Sequence, residues 1–338
     1  MSSSRPLTFA ALALTMPGAY AHHSPAAYDM AAQVTIEGTV ANFEWANPHA
    51  YVSLQETTGE KRVWQIELLS PSSLKRYGWT ATTIASGDRI KVLAHPGRDP
   101  ARNVAFLQTL ERSSTLLLDA RRVITNTVPA PQSPGAPSLS AKSLAGTWLT
   151  LPGPALGQLL GGAGTLPMTP KGAAALATFS DTENPGRDCG EYTAPVYMVL
   201  PIFRSIEMGT DSIVIRGEEF GQERTIHMNR TSHDGATASV QGDSIGRSEG
   251  EALIVDTTHF AEHRLGIAGG LPSSPAKHLV ERFQLQPGGG GLIYTFTIED
   301  PAYLTTAVQG MSPWSYRPDV PFQPLECNLE NARRFLSE

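Results

Sequence analysis

The chain has 338 residues and a formal net charge of −6, from 26 Lys and Arg against 32 Asp and Glu. Its basic residues are scattered without runs, which argues against a nucleic-acid surface. Hydrophobic residues at 41% and charged residues at 17% make a globular balance, with length enough for two domains that each bury a core. The 31 Gly and 26 Pro favour short strands joined by turns over long helices.

Residues 1–21, MSSSRPLTFAALALTMPGAYA, read as a signal peptide. Arg5 supplies a positive start, Leu7 to Met16 a short apolar run, and Ala19-Tyr20-Ala21 a small-x-small cleavage site. That run is too short to span a bilayer, and no later one reaches about 18 residues, so no membrane span is expected. The expected location is periplasmic or secreted. Cys189 and Cys327 are the two cysteines, and in an oxidising compartment one disulfide is expected, closing a loop of 138 residues.

Residues 22–121 form a first block. Strand-like alternation runs through VTIEGTVANFEW (34–45), AYVSLQET (50–57) and RVWQIELLS (62–70). A short helix follows in SPSSLKRYGW (70–79), with Ser70 as N-cap, Pro71 at the first helical position and Gly78 at the end. GDRIKVLAHP (87–96), VAFLQTLER (104–112) and TLLLDAR (115–121) return to strand. Strands interrupted by one short helix predict a small OB-like β-barrel. Residues 122–145 are rich in Pro, Ser, Ala and Gly and read as a linker. In the second block, 146–338, TPKGAAALATF (169–179) predicts a short helix and NLENARRFLSE (328–338) a terminal one. Strands are expected at 211–219, 223–230, 236–246, 251–260, 277–287 and 291–300. The fold class is therefore all-β with minor α: an OB-like barrel followed by a lipocalin-like antiparallel barrel or curved sheet.

His22-His23-Ser24, Trp45-x-Asn47-Pro48-His49, Ser70-Pro71, Leu74, Gly78-Trp79, Gly87-Asp88 and His95-Pro96-x-Arg98-Asp99 occur in that order over residues 22–110. This set resembles an exported bacterial family of unknown function. Gly242 to Arg247, Glu249-Gly250, Leu253 to Thr257, Glu281-Arg282-Phe283 and Ile298 to Pro301 resemble a second uncharacterised exported β-rich family. Ser248 and Glu251 depart from its pattern, where relatives often carry Trp and Asp. The resemblances imply export and architecture, and they imply no reaction.

Cleavage after Ala21 would leave His22 as the first residue, and an N-terminal His can chelate a metal through its α-amine and Nδ1. The amine's ordinary pKa of about 7.7–8.0 lets a borderline metal displace its proton near neutrality. A second imidazole then completes a nitrogen-rich site suited to copper, similar to the histidine brace of copper oxygenases and carriers. His49 is the first candidate for that imidazole, then His95, with His23 as a substitute. Zinc on His22, His49 and His95 is the alternative. Asp29 and Glu44 are candidates to orient an imidazole. In the second block, Asp243, Asp256, His259 and Glu281 sit at strand ends or turns and could form a general acid/base set in a barrel mouth. Arg–carboxylate pairs that pin loops are the competing reading. His259 and His263 stand four apart, but in strand context that spacing is weak metal evidence. The functional expectation is metal carriage or oxidation at the processed N-terminus. Its alternatives are binding of a small apolar ligand in the second barrel, or a cofactor-free lyase, isomerase or hydrolase there.

Overall fold

The computed structural model describes residues 28–120, 140–161, 163–219, 221–324 and 326–334. The leader expected at 1–21, His22, His23 and most of the linker expected at 122–145 lie outside these residues. Strand dominates, as alternation predicted, and the strands close two barrels.

The first barrel uses β1 (Val34–Glu44), β2 (Tyr51–Glu56), β3 (Val63–Glu67), β4 (Arg89–Pro96) and β5 (Val104–Arg112), and β6 (Thr115–Asp119) pairs with β5 alone. β1 is long and serves both neighbours, pairing with β4 over Val34–Thr39 and with β2 over Gly38–Glu44. Gly38 sits where those ladders overlap, and a Cβ there would stand 2.5 Å from the Gln55 carbonyl oxygen. Parallel pairing of β3 with β5, Gln65 against Val104, closes the ring. The result is a closed five-stranded barrel, the small OB-like barrel the sequence predicted. The helix α1 (Pro71–Lys75) falls between β3 and β4, with the Ser70 hydroxyl accepting from the Ser73 N–H and Gly78 at φ +77° after it. Ile36, Val52, Leu54, Ile66, Leu74, Val92 and their neighbours fill the core.

The second barrel has nine strands: β7 (Gly146–Thr150), β8 (Phe203–Met208), β9 (Ser212–Gly217), β10 (Glu223–His227), β11 (Asp243–Glu249), β12 (Ala252–Thr258), β15 (His278–Leu285), β16 (Gly291–Glu299) and β17 (Val308–Tyr316). A separate hairpin, β13 (His263–Ala268) with β14 (Leu271–Ser273), stands outside the ring. The barrel is antiparallel except for β10 with β11, which run parallel. The connection 228–242 must therefore cross back along the outer face, and the strand expected from 236 starts only at Asp243. β7, β8 and β17 were not expected from the sequence; Gly146 opens β7, and Gly310 and Pro313 interrupt β17. The helix α2 (Pro170–Ala177) matches its prediction.

Inward residues fill this barrel. Trp148, Tyr294, Phe283 and Trp314 are at most 1% exposed; the rings of the last three pack on one another, and that of Trp148 packs on Tyr316. Tyr197 plugs one end: a Cβ on Gly217 would sit 1.5 Å from its hydroxyl oxygen. Lys277 is fully enclosed, donating to Thr193 Oγ1, the Ala194 carbonyl and the Gly266 carbonyl with its ammonium 3.8 Å from the Phe260 centroid. Burial pushes its pKa well down. The two barrels touch through Lys75 Nζ to Glu218 (3.1 Å) and the Phe203 N–H to Ser72 Oγ (3.2 Å). The expected disulfide Cys189–Cys327 is present. No helix among the described residues is long and apolar enough to cross a membrane.

Candidate functional site

Asn47-Pro48, joined by a cis peptide, carries the chain from β1 to His49 at the foot of β2. His49 is 6% exposed. Its Nδ1 lies 2.9 Å from the Leu68 carbonyl oxygen and 3.3 Å from Glu67 Oε1. A carbonyl oxygen only accepts, so Nδ1 carries the hydrogen and the lone pair of the neutral ring falls on Nε2. His95, at the end of β4, repeats the pattern with its Nδ1 2.9 Å from the Ala32 carbonyl oxygen. With Nδ1 held in this way, each neutral ring carries its lone pair on Nε2. Tyr28 enters beside them. Its hydroxyl donates to Glu67 Oε2 at 2.5 Å, its ring packs on Phe106, and its backbone bridges Gly97, two residues past His95. Burial, then the Glu67 charge, raises the Tyr28 pKa, so the phenol keeps its proton.

The orienting carboxylates differ from expectation. Asp29 Oδ1 accepts from the Ala31 N–H in a local turn. Glu44 accepts from Asn331 Nδ2 (2.6 Å) and pairs with Arg334 (2.8 Å), so it fastens the C-terminal helix and faces no imidazole among the described residues. Glu67 does that work. Its strand was legible, but the register setting Tyr51 opposite Glu67 was not. Among the described residues, no three His, Cys, Asp or Glu side chains form a group able to hold a metal.

The second barrel separates its four candidates. Asp243 and Asp256 meet on the outer face, joined by His233, which the sequence did not single out. His233 Nδ1 is 2.7 Å from Asp243 Oδ2 and its Nε2 is 3.0 Å from Asp256 Oδ1. His278 Nε2 stands 2.9 Å from Asp256 Oδ2, and Arg230 donates to Asp243 Oδ1 at 2.8 Å. Burial would raise both Asp pKa values, but hydrogen bonds from His233 and Arg230 hold Asp243 below its usual range. Hydrogen bonds from His278 and His233 do the same for Asp256. His259 lies beside this chain, its ring 6.1 Å from that of His233 and its Nδ1 2.9 Å from Thr258 Oγ1. Glu281 is elsewhere: it points into the barrel at 1% exposure and pairs with Arg224. It lies in no mouth, because the β15 pleat turns Leu279, Glu281 and Phe283 inward together. A shallow outer groove of about 610 Å³, lined by Arg247, Ile254, Val280, Arg282, Thr295 and Met311 among others, adjoins Asp256 through its cross-strand neighbour Val280.

Residues 11–105 match the model of a family described as a family of unknown function (DUF6152). No curated protein matches the chain. Among solved structures, one similar chain comes from the crystal structure of the S. pombe Stn1–Ten1 complex. It shares 12% identity at a TM-score of 0.21, over 28% of this chain and 63% of that one.

Proposed function

We propose that this is an exported protein that binds a transition metal, copper foremost and zinc as the alternative, at the first barrel. The metal serves carriage or oxidation. The α-amine and imidazole of a processed His22 supply two nitrogens, and His49 supplies the next, with His95 and His23 as further ligands. The observation that carries the reading is the matched state of His49 and His95, each with Nδ1 held by a backbone carbonyl. Glu67 adds the carboxylate that commonly backs a metal-bound imidazole and raises its basicity. The disulfide suits an oxidising compartment, which supports export.

The test is copper content and copper EPR on protein exported through its own leader, with the N-terminus read by mass spectrometry. A chain that starts at His22 should bind one Cu(II) with nitrogen couplings. A form retaining Met before His22, and His49→Asn, should each lose affinity by about tenfold or more. Equal metal-free recovery of all three forms would sink the reading.

A second reading is a cofactor-free lyase, isomerase or hydrolase. The Asp243–His233–Asp256–His278 chain beside the outer groove favours it. Activity that survives chelation and is lost in Asp256→Asn would move the assignment there. A small apolar ligand would have to displace aromatic side chains that already occupy the second barrel's interior.

A further inference from the structure

Residues 326–334 run from the second barrel onto the first. Cys327 forms a parallel bridge with Asn47, and the Asn328 N–H donates to the Asn47 carbonyl at 3.0 Å. The helix α3 (Leu329–Arg333) then lies against the end of β1 and the start of β2. The Tyr51 hydroxyl donates to the Asn331 carbonyl at 3.0 Å, Asn331 and Arg334 take the two oxygens of Glu44, and Arg102 donates to the Arg334 carbonyl at 3.0 Å. The Arg334 guanidinium lies 4.3 Å from the Tyr51 centroid. This strap is tied to the second half by the Cys189–Cys327 disulfide, by the packing of α3 on residues 185–188 and by Arg333 on Asp188. The ion pair is more than half exposed on both sides, which makes it a weak tether. The disulfide is the strong one. Both cysteines are half-buried, within reach of a reductant, and Cys189 holds φ +56°, a left-handed conformation uncommon outside Gly.

The strap's first anchor is two residues from His49. Its second, Tyr51, packs in one cluster with Tyr28, whose hydroxyl holds the carboxylate facing His49. Whatever fastens the strap therefore also fastens both ends of the His49 surroundings.

We propose that the Cys189–Cys327 disulfide is a thiol-operated clasp on the first-barrel site. A dithiol reductant opens it, the strap leaves Asn47 and Tyr51, and the His49 site loosens. One thiolate of the reductant attacks a sulfur of the bond and forms a mixed disulfide, which its second thiol resolves. Two electrons and two protons pass to Cys189 and Cys327, and the reductant leaves as its own disulfide. A disulfide oxidant reverses the exchange. Once the bond is gone, the local contacts alone must hold the strap against the freedom of the tail that leaves β17 at Tyr316, and they range from the buried Tyr51–Asn331 hydrogen bond to the exposed bonds of Arg102 and Arg333. The clasp regulates the metal site proposed above and rests on that reading, so its test separates the two.

Hydrogen exchange would be followed in the full exported chain, oxidised, reduced with a phosphine, and as Cys189→Ser/Cys327→Ser. Cu(II) affinity would be measured on the oxidised protein and the double variant, where no reductant competes for the ion. Expected are amide exchange at least about tenfold faster at both 327–334 and 47–51, and Cu(II) affinity about tenfold weaker in the double variant. Retained protection in β15 and β16 certifies folding. If the double variant fails to fold, Glu44→Gln loosens the strap in the oxidised protein and should give the same changes at smaller size. Faster exchange confined to 327–334, no change at either segment, or equal Cu(II) affinity in both forms overturns the clasp. If exchange rises at both segments while no form binds copper, the clasp stands and the metal reading falls.

Discussion

Arg224 and Glu281 face each other inside the second barrel, both about 1% exposed. Their contacts are 2.8 and 2.5 Å, and Ser244, Thr257 and Tyr294 take the remaining donors and acceptors. Such a pair is nearly neutral against an apolar replacement of equal volume, but breaking it strands one buried charge. Glu281→Gln should therefore lower unfolding stability by about 3–5 kcal/mol, and Arg224→Met with Glu281→Met should recover most of that loss. Urea midpoints of the two variants check it, and a single variant as stable as the parent would show that water reaches Glu281. The sequence showed the residue types and the nearby Arg. Which carboxylate turned inward depended on the pleat of β15, and a one-residue slip would have exchanged Glu281 for Val280.

The connection 228–242 is the element whose behaviour follows from its charges. Arg230 and His233 clip it to Asp243 on β11 and Asp256 on β12, and Gln241 donates to the Tyr192 carbonyl. His278 on β15 faces Asp256 from the other side, Glu299 on β16 stands 3.8 Å from His278, and His227 lies 3.9 Å from Asp243. Both aspartates have folded pKa values below their unfolded value of about 3.9. Their contribution is complete above that value and is lost as pH falls through the folded values. Amides of 229–238 should therefore lose exchange protection as pH drops below about 4, before the inner strands do. In Asp243→Asn the protection should already be low at pH 7 and respond less to acid. Equal protection at pH 7 and pH 3 in the parent would contradict this. The sequence predicted strands over both ends of this segment, at 223–230 and 236–246, and nothing in it foretold that the connection carries His233 to the two aspartates.

At the scale of the molecule, one covalent link joins the last strand's tail to the segment before the Tyr197 plug. Closing 138 residues stabilises the native state by about 5 kcal/mol on the chain-entropy account. Reduction should lower the melting temperature of the second barrel by on the order of 10 °C. Calorimetry with and without a phosphine reductant measures it. A shift confined to the first barrel would show that the link constrains the strap alone. The barrels themselves meet through Lys75 with Glu218, Ser72 with Phe203 and the buried Glu219 with Ser70, and the disulfide-tied strap adds a further link between them.

Local chemistry determined the strands of the first barrel almost to the residue, the Ser70–Pro71 start and Gly78 stop of its helix, and the pairing of two cysteines that had only each other. Alternation, capping and a count of two are short-range properties, and they survive folding unchanged. Tertiary structure alone decided the rest. It chose Glu67 over Glu44 to face His49 and turned Glu281 away from Asp256. It also brought His233 to two aspartates across a parallel strand pair and carried the C-terminal helix back to Tyr51. Each of those depends on register or on a contact between residues tens to hundreds of positions apart, and no periodicity within one segment encodes such a distance.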